Sequence, residues 1–462
     1  MSELPSSWAT TPLLAVCELL RGVTYTKDVA ASLPGPDRLP VLRANNLQGR
    51  AFDLSDLVYV PSDLVSQQQR ILAGDVVVAT SSGSISVVGK AVQSQRDMAA
   101  GFGAFCGMLR PVPALNSRYF GHFFSSEAYR TRVSALARGS NINNLKREHF
   151  ESLLFPVAPP EEQQRIADKL DTVLARVDAC RDRLARVGPL LKRFRQSVLA
   201  AATSGRLTED WRGETSHLGD APLGWIRSSI REVTTDIRYG TSKKCAYGAT
   251  GPGVLRIPNI RGDGRIDSSD LKRADFSADE IDALALRPGD LLVIRSNGSV
   301  DLVGRTAVVS EDDAGFLFAG YLIRLRLATE KILSAYAYFC LSEPSQRATI
   351  ELTAKSTSGV NNINSEELLG LPLLLPSKPE QAEIVRRVET LFAFADRLEA
   401  RLAQAQTAVD RMTPSLLAKA FRGELVPQDP ADEPAAELLK RLAASRAAPA
   451  PKTRKGRQVQ TA

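Results

Sequence analysis

The sequence predicts an α+β protein: two globular mixed α/β domains in a pseudo-two-fold arrangement, separated by two long antiparallel coiled-coil-like helices. Three observations predict it. Residues 143–208 align without gaps on residues 361–426 at an offset of 218, with 20 of the 66 pairs identical. A duplication on that scale calls for two related structural units. The aligned segment carries apolar residues spaced alternately four and three apart, the mark of a helical seam. Upstream of it in each copy, short β-rich runs follow Gly-Asp turns, which suits mixed α+β domains.

The first globular domain is expected over residues 1–155 and the second over 211–375. They share GDVVVATSSGSISVVGK at 74–90 and GDLLVIRSNGSVDLVGR at 289–305, offset by 215, with eight of 17 pairs identical. Leu42, Arg43 and Asn46 match Leu255, Arg256 and Asn259 at an offset of 213, and Trp8 matches Trp225 at 217. The drifting offset means small insertions within the globular parts, whereas the helical parts keep one length. Helical regions are expected over 156–210 and 376–428. Their seams run Ile166, Leu170, Val173, Val177, Cys180, Leu184, Val187, Leu191, Phe194 and Val198, and Ile384, Val388, Leu391, Ala395, Leu398, Leu402, Ala405, Val409, Met412 and Leu416.

Pro156, Pro159 and Pro160, and Pro376 and Pro379, precede the helix starts, where Glu161, Glu162 and Glu380 favour the first turn. Gly205 and Gly423 suit helix ends. Gly188–Pro189 predicts a kink or break in the first helix, and Thr413–Pro414 one in the second, because proline lacks the amide donor and crowds the preceding turn. Two matched helices in one chain pair most simply with each other. About 40 residues at ~1.5 Å each would make a spacer of roughly 60 Å, and two-fold protein symmetry suits duplex DNA with two half-sites. Residues 203–224 read as a linker. Residues 429–462 are rich in Ala, Pro, Lys and Arg and are expected to form a basic disordered tail, with a short helix near 434–445 compatible.

The formal charge of +7 permits nucleic acid as a partner, and scarce aromatics argue against a single-strand binder built on base stacking. Cys17, Cys106, Cys180, Cys245 and Cys340 are isolated and read as free thiols of a reducing cytosol. Three scattered histidines, His122, His149 and His217, make no metal site. No signal peptide or membrane-spanning stretch is read, so a cytoplasmic location without a membrane partner is expected. Gly83 to Lys90 has the wrong spacing for a phosphate loop, and Ala91 stands where a hydroxyl would hold the metal. No zincin, nucleophile-elbow or adenine-methylating tetrapeptide occurs. The chain is expected to be non-catalytic, with no metal and no cofactor of its own.

Side chains that bond phosphates and base edges cluster at repeated places. Thr80, Ser81, Ser82, Ser84 and Lys90 answer to Arg295, Ser296, Asn297, Ser299 and Arg305. Arg138, Asn141, Asn143, Asn144 and Lys146 answer to Lys355, Asn361 and Asn362. With Arg43, Asn46, Arg256 and Asn259 these are the candidate DNA-binding residues. A bare polar turn would explain any one cluster; their recurrence in both halves favours function.

The two Gly-Asp motifs, with apolar residues flanking a Ser-x-Gly-Ser core and ending Gly-Lys or Gly-Arg, and the helix starts PPEEQQRI and KPEQAEI resemble the specificity subunit of type I restriction–modification enzymes. The order of two variable domains alternating with two helical regions is similar as well, over nearly the whole chain. The residues beyond Pro430 and the Gly188–Pro189 interruption depart from that pattern. The resemblance implies that each globular part is a target recognition domain reading one part of a split double-stranded DNA site, with the helices setting the gap. It further implies two modification subunits that bring S-adenosylmethionine and methylate adenine, and restriction subunits that bring ATP and Mg for translocation and cleavage. Two alternatives stand beside it: a specificity subunit of a related system without a translocase, and a coiled-coil scaffold that binds only proteins.

Overall fold

A computed structural model describes residues 4–137, 143–213, 217–218, 221–354 and 359–447. The chain divides into two compact units, one of residues 1–183 with 405–462, the other of residues 184–404. Each unit repeats the topology of the other.

In the first unit a four-stranded antiparallel sheet runs in the order Cys17–Arg21, Cys106–Pro111, Val76–Ala79, Ala91–Gln93. The second unit has Thr234–Tyr239, Leu322–Leu327, Leu291–Ile294, Thr306–Val308 in the same order. The unbroken apolar run after each Gly-Asp pair follows from this placement. Val76 and Val78 face the core beside the long helices, while Val77 and Ala79 face a second core on the other side of the sheet. Leu291 and Val293, and Leu292 and Ile294, divide the same way. A strand covered on both faces has no solvent side and so no polar alternation. A three-stranded sheet accompanies each: Gly101–Phe102, Arg38–Leu42, Val58–Pro61 in the first unit and Lys272–Arg273, Gly253–Leu255, Leu317–Phe318 in the second.

The Gly-Asp motif itself is structural. Gly74 and Gly289 turn the chain with φ of 89° and 88°. Asp75 then accepts a fork from Arg110 at 2.9 and 2.7 Å, and Asp290 one from Arg326 at 2.9 and 2.8 Å. Each carboxylate also takes the amide three residues back, of Leu72 or Arg287. Bidentate charge-assisted pairs of this kind supply the donors that a buried carboxylate needs.

The long helices span Pro160–Thr203 and Lys378–Ala420. In the first unit Ile166, Leu170 and Leu174 of the first helix share a core with Leu417 and Ala420 of the second. In the second unit Val198, Leu199 and Ala202 pack with Ile384 and Val388. Start meets end in each unit, so the helices run antiparallel there. Arg181 pairs with Asp410 at 3.2 Å in the first unit, and Arg195 with Asp396 at 2.5 Å and Glu399 at 3.2 Å in the second.

Three expectations are corrected. Of the kink or break expected at each proline, the break does not occur: the helices run on through Pro189 and Pro414. Both prolines are exposed, as are Gly188 and Ala185, so water can serve the backbone carbonyl that loses its amide. The heptad seam is not continuous: Cys180 and Met412 are exposed, and Leu174 and Leu417, off the seam, are buried instead. Finally, the expected disordered tail is ordered as far as Ala447. Ala435–Ala447 is a helix whose Ala435 and Leu438 enter the first unit's core. Asp432 pairs with Arg165, the Ala435 amide donates to Ser7 O at 2.9 Å, and Arg446 donates to Leu14 O at 2.9 Å. The basic run at 452–457 lies outside the described residues.

The globular part of each unit is fastened to its helix by different chemistry. In the first unit Arg118 pairs with Asp168 and Asp171, and buried His122 bonds Asp171 through Nε2 at 2.8 Å. In the second, Phe339 packs edge-on against Phe392, and Arg195 lies over that ring. Burial pushes the His122 imidazole down, Asp171 pulls it up, and Arg50 and Arg118 add to the lowering. A folded-state pKa below the unfolded value means that stability is present above the ordinary imidazole range near 6.5 and is lost as pH falls through the lowered value. Wild type should therefore lose stability relative to His122→Phe between about pH 7 and pH 5, a difference read from urea midpoints across that range; parallel pH profiles for the two proteins would contradict it.

Candidate nucleic-acid interface

The two polar clusters that sequence separates by some 60 residues come together. Ser81–Ser82 pairs antiparallel with Asn143–Asn144, Ser82 opposite Asn143 and Ser81 opposite Asn144. Ser296–Asn297 pairs identically with Asn361–Asn362. The amides of Leu145 and Ile363 extend each ladder by donating to Thr80 O at 2.7 Å and Arg295 O at 2.8 Å. Asn143 Nδ2 reaches Gly83 O at 3.3 Å and Asn361 Nδ2 reaches Gly298 O at 2.9 Å, tying each Gly-Ser turn to its ladder. Ser84 and Ser299 lie exposed at the turn tips. Their amides bond Ser82 Oγ at 3.2 Å and Asn297 Oδ1 at 2.9 Å.

Around the ladders the candidates divide. Asn144 and Lys146 are exposed, the latter 3.6 Å from Glu148. Arg295 bonds Asn362 Oδ1 at 3.2 Å and lies over the Tyr239 ring. Arg43 pairs with Asp56 at 2.8 Å and Arg256 with Asp270 at 3.1 Å, both partly exposed. Lys90 is not at the ladder. It lines a cleft of about 370 Å³ together with Arg50, Arg130 and Arg181 against the first long helix. Arg305 is its counterpart in the second unit; there burial pushes the Arg347 guanidinium down and the charge of Arg305 adds to that lowering. Arg138, Asn141 and Lys355 lie outside the described residues.

Asn46 and Asn259 are a correction. They are 1% and 2% exposed, and their side chains are used within their own loops. Asn46 accepts from the Arg43 amide at 2.7 Å and donates to Asp53 O and Asp56 O, each at 2.8 Å. Asn259 repeats this with Arg256, Asp267 and Asp270. Both loops use the residue as the same internal brace, which is reason enough for its recurrence. Sequence reasoning also missed what surrounds Ser81 and Arg43. A cavity of about 640 Å³ there is lined further by Tyr25, Lys27, Asn45 and Phe105. These residues differ between the halves, so a search for repeated residues passes over them.

Among the described residues no cluster of His, Cys, Asp and Glu could hold a metal ion, and no helix is long and apolar enough to cross a membrane. Cys17, Cys106 and Cys340 are buried thiols that burial pushes up to about 12.

Two homologous units, each offering a braced rim of Ser, Asn and Arg, have the form that suits a nucleic-acid-recognition protein. A family model described as the type I restriction modification DNA specificity domain matches residues 5–187. The chain is 41% identical over 456 residues to the type I restriction enzyme EcoKI specificity subunit of Escherichia coli strain K12, covering 96% of this chain and 97% of that one. It is 41% identical over 453 residues to the StySPI specificity subunit of Salmonella potsdam, covering 96% of each. The fold matches a chain from a structural study of complex assembly and conformational transition in a type I R-M system, with a TM-score of 0.65 at 19% identity over 92% of this chain and all of that one. It also matches the HsdS subunit from Thermoanaerobacter tengcongensis, with a TM-score of 0.54 at 19% identity over 92% of this chain and 98% of that one. The chain belongs to the family of type I restriction enzyme specificity subunits, and DNA sequence recognition is its function.

Removing the Asn46 or Asn259 side chain strands one amide and two carbonyls in a buried loop. Asn46→Ala and Asn259→Ala should each destabilise their unit by about 2–4 kcal/mol, seen as a lower urea midpoint. Normal stability with a selective loss of DNA binding would reverse the structural assignment.

Proposed function

We propose that the two globular parts, residues 1–155 and 211–375, are target recognition domains that each read one part of a split double-stranded DNA site. The helical regions 156–210 and 376–428 set the unread gap between the parts. The observation that carries this reading is the recurrence of one rim, the Ser/Asn ladder with its neighbouring arginine, in two units whose remaining rim residues differ. Two copies of one recognition device in one chain suit two half-sites a fixed distance apart.

In this reading the chain is non-catalytic. Two modification subunits dock on the helical regions and supply S-adenosylmethionine and adenine methylation. Restriction subunits add ATP- and Mg-dependent translocation and cleavage. The complex works in the cytoplasm. Exposed ladder atoms of Ser81, Ser82, Asn143 and Asn144, and of Ser296, Asn297, Asn361 and Asn362, meet the DNA. Thr80, Ser84, Lys146, Arg295 and Ser299 border those contacts. Arg43, Arg256, Lys90 and Arg305 neutralise phosphates.

Expressed with its modification subunit in a methylation-free host, the chain should produce a split adenine-methylated motif; a methylome without one rejects the reading. A seven-residue insertion in either helical region should lengthen the gap and leave both half-site sequences intact. Loss of half-site preference in that variant would reject the spacer role. Arg43→Ala or Arg256→Ala should each lower the slope of log affinity against log salt by about 1, measured by titrating duplex binding at several salt concentrations.

A further inference from the structure

The repeated rim residues have a consequence for specificity that rests on the reading above. If the two units read different half-sites, side chains identical in both cannot make the difference. Arg43 and Arg256, Ser81 and Ser296, and Asn143 and Asn361 are such pairs. Discrimination must lie at exposed positions on the same rim where the units differ.

The fold picks those positions out. The Thr80 amide donates to Phe105 O at 2.9 Å, and the Arg295 amide to Tyr321 O at 2.9 Å. Phe105 and Tyr321 therefore occupy one structural position, each immediately beside its polar ladder. Their side chains are 70% and 63% exposed. Both loops are closely packed at their base. A Cβ on Gly22 would fall 2.0 Å from Gly103 O, and one on Gly240 would fall 2.3 Å from Ala319 O, so only glycine lets the strands approach this closely. Phe105 lines a cavity with Ser81, Asn45 and Arg43 as well as with Val23, Tyr25 and Val58, and an exposed aromatic ring in such mixed surroundings suits a partner that is itself part apolar and part hydrogen-bonding. A base is such a partner, with an apolar face or thymine methyl beside hydrogen-bonding edges. The second differing position is adjacent to the arginine: exposed Asn45, bonded to Asp56 at 2.8 Å, stands where the other unit has exposed Pro258.

We propose that Phe105 and Asn45 in the first unit, and Tyr321 and Pro258 in the second, touch base edges and determine which half-site each unit accepts, while the repeated ladder makes contacts common to both. The two aromatic residues differ by one hydroxyl, which can donate to or accept from a base edge. Asn presents a donor and an acceptor where Pro presents only hydrocarbon.

The test uses the full chain assembled with its modification subunit and a duplex library randomised across both half-sites, with methylated molecules sequenced. Phe105→Ala should relax base preference about 10-fold at one or two positions of one half-site and leave the other half-site unchanged. Tyr321→Ala should do the converse. Tyr321→Phe, which keeps the ring, should alter only a preference that depends on the hydroxyl. Ser81→Ala should lower methylation across all sequences without changing the motif. Unchanged preferences in both aromatic variants, or a motif changed by Ser81→Ala, would overturn the assignment. A wild-type chain that selects no split motif would instead overturn the half-site reading, and this assignment with it. Both aromatic side chains are mostly in solvent, so their removal leaves the cores intact; thermal melting of each complex verifies that.

Discussion

A buried indole–carboxylate hydrogen bond, made once in each unit, holds the rest of the structure in place. Trp8 Nε1 donates to Glu162 at 2.9 Å and Trp225 Nε1 to Glu380 at 3.0 Å. Each carboxylate sits in the first turn of a long helix, where the unpaired amides favour negative charge. Each still needs a second donor. In the first unit it is Gln428 at 2.6 Å; in the second it is Thr208 at 2.7 Å, together with Arg212. Burial pushes the Glu162 carboxyl up, and the Trp8 and Gln428 donors pull it back. The next residue completes the joint. Gln163 bonds Asn116 N and Ala158 O, and Gln381 bonds Leu333 N and Pro376 O. The start of the globular part, its last loop, the helix start and the segment that follows the opposite helix all meet at this point. The direction in which each helix leaves its globular part is thereby set.

That joint explains much of what the sequence could reveal. The Glu-Gln pair, the Gly-Asp pair and the two tryptophans are repeated because each is a polar group buried with fixed partners, and such sets tolerate little change. The same logic misled at Asn46 and Asn259, whose recurrence reflects an internal brace. Repetition marks shared constraint, and burial is needed to say whether that constraint is structural or functional. Sequence alone does not report burial for an Asn in a loop. The ladder was illegible for another reason. Two-residue strands have no periodicity, and their pairing joins segments about 60 residues apart. The heptad reading failed locally at Cys180 and Met412 because a straight helix turns every 3.6 residues and drifts off a strict seam. The short helix that the sequence allowed near 434–445 is present as Ala435–Ala447, and what the Ala-rich composition obscured was its docking through Leu438, Leu439 and Leu442 on one face.

The units differ where their shared framework leaves them free. The first is fastened to its helix through Arg118, His122, Asp168 and Asp171; the second through Phe339, Phe392 and Arg195. Exposed ion pairs weaken with salt, whereas aromatic packing is indifferent to it. Both arrangements join a short helix of the globular part to the same face of the long one, so the joint has kept its geometry while its chemistry changed. The side chain at a rim position such as Phe105 or Tyr321 lies mostly in solvent and is freer still. The degree of divergence therefore follows the number of internal partners: least at the buried Trp–Glu–Gln set, more at the fastening surface, most at the exposed rim. Under the proposed reading, in which the two halves hold one frame and meet two DNA sequences, that gradient is the expected one.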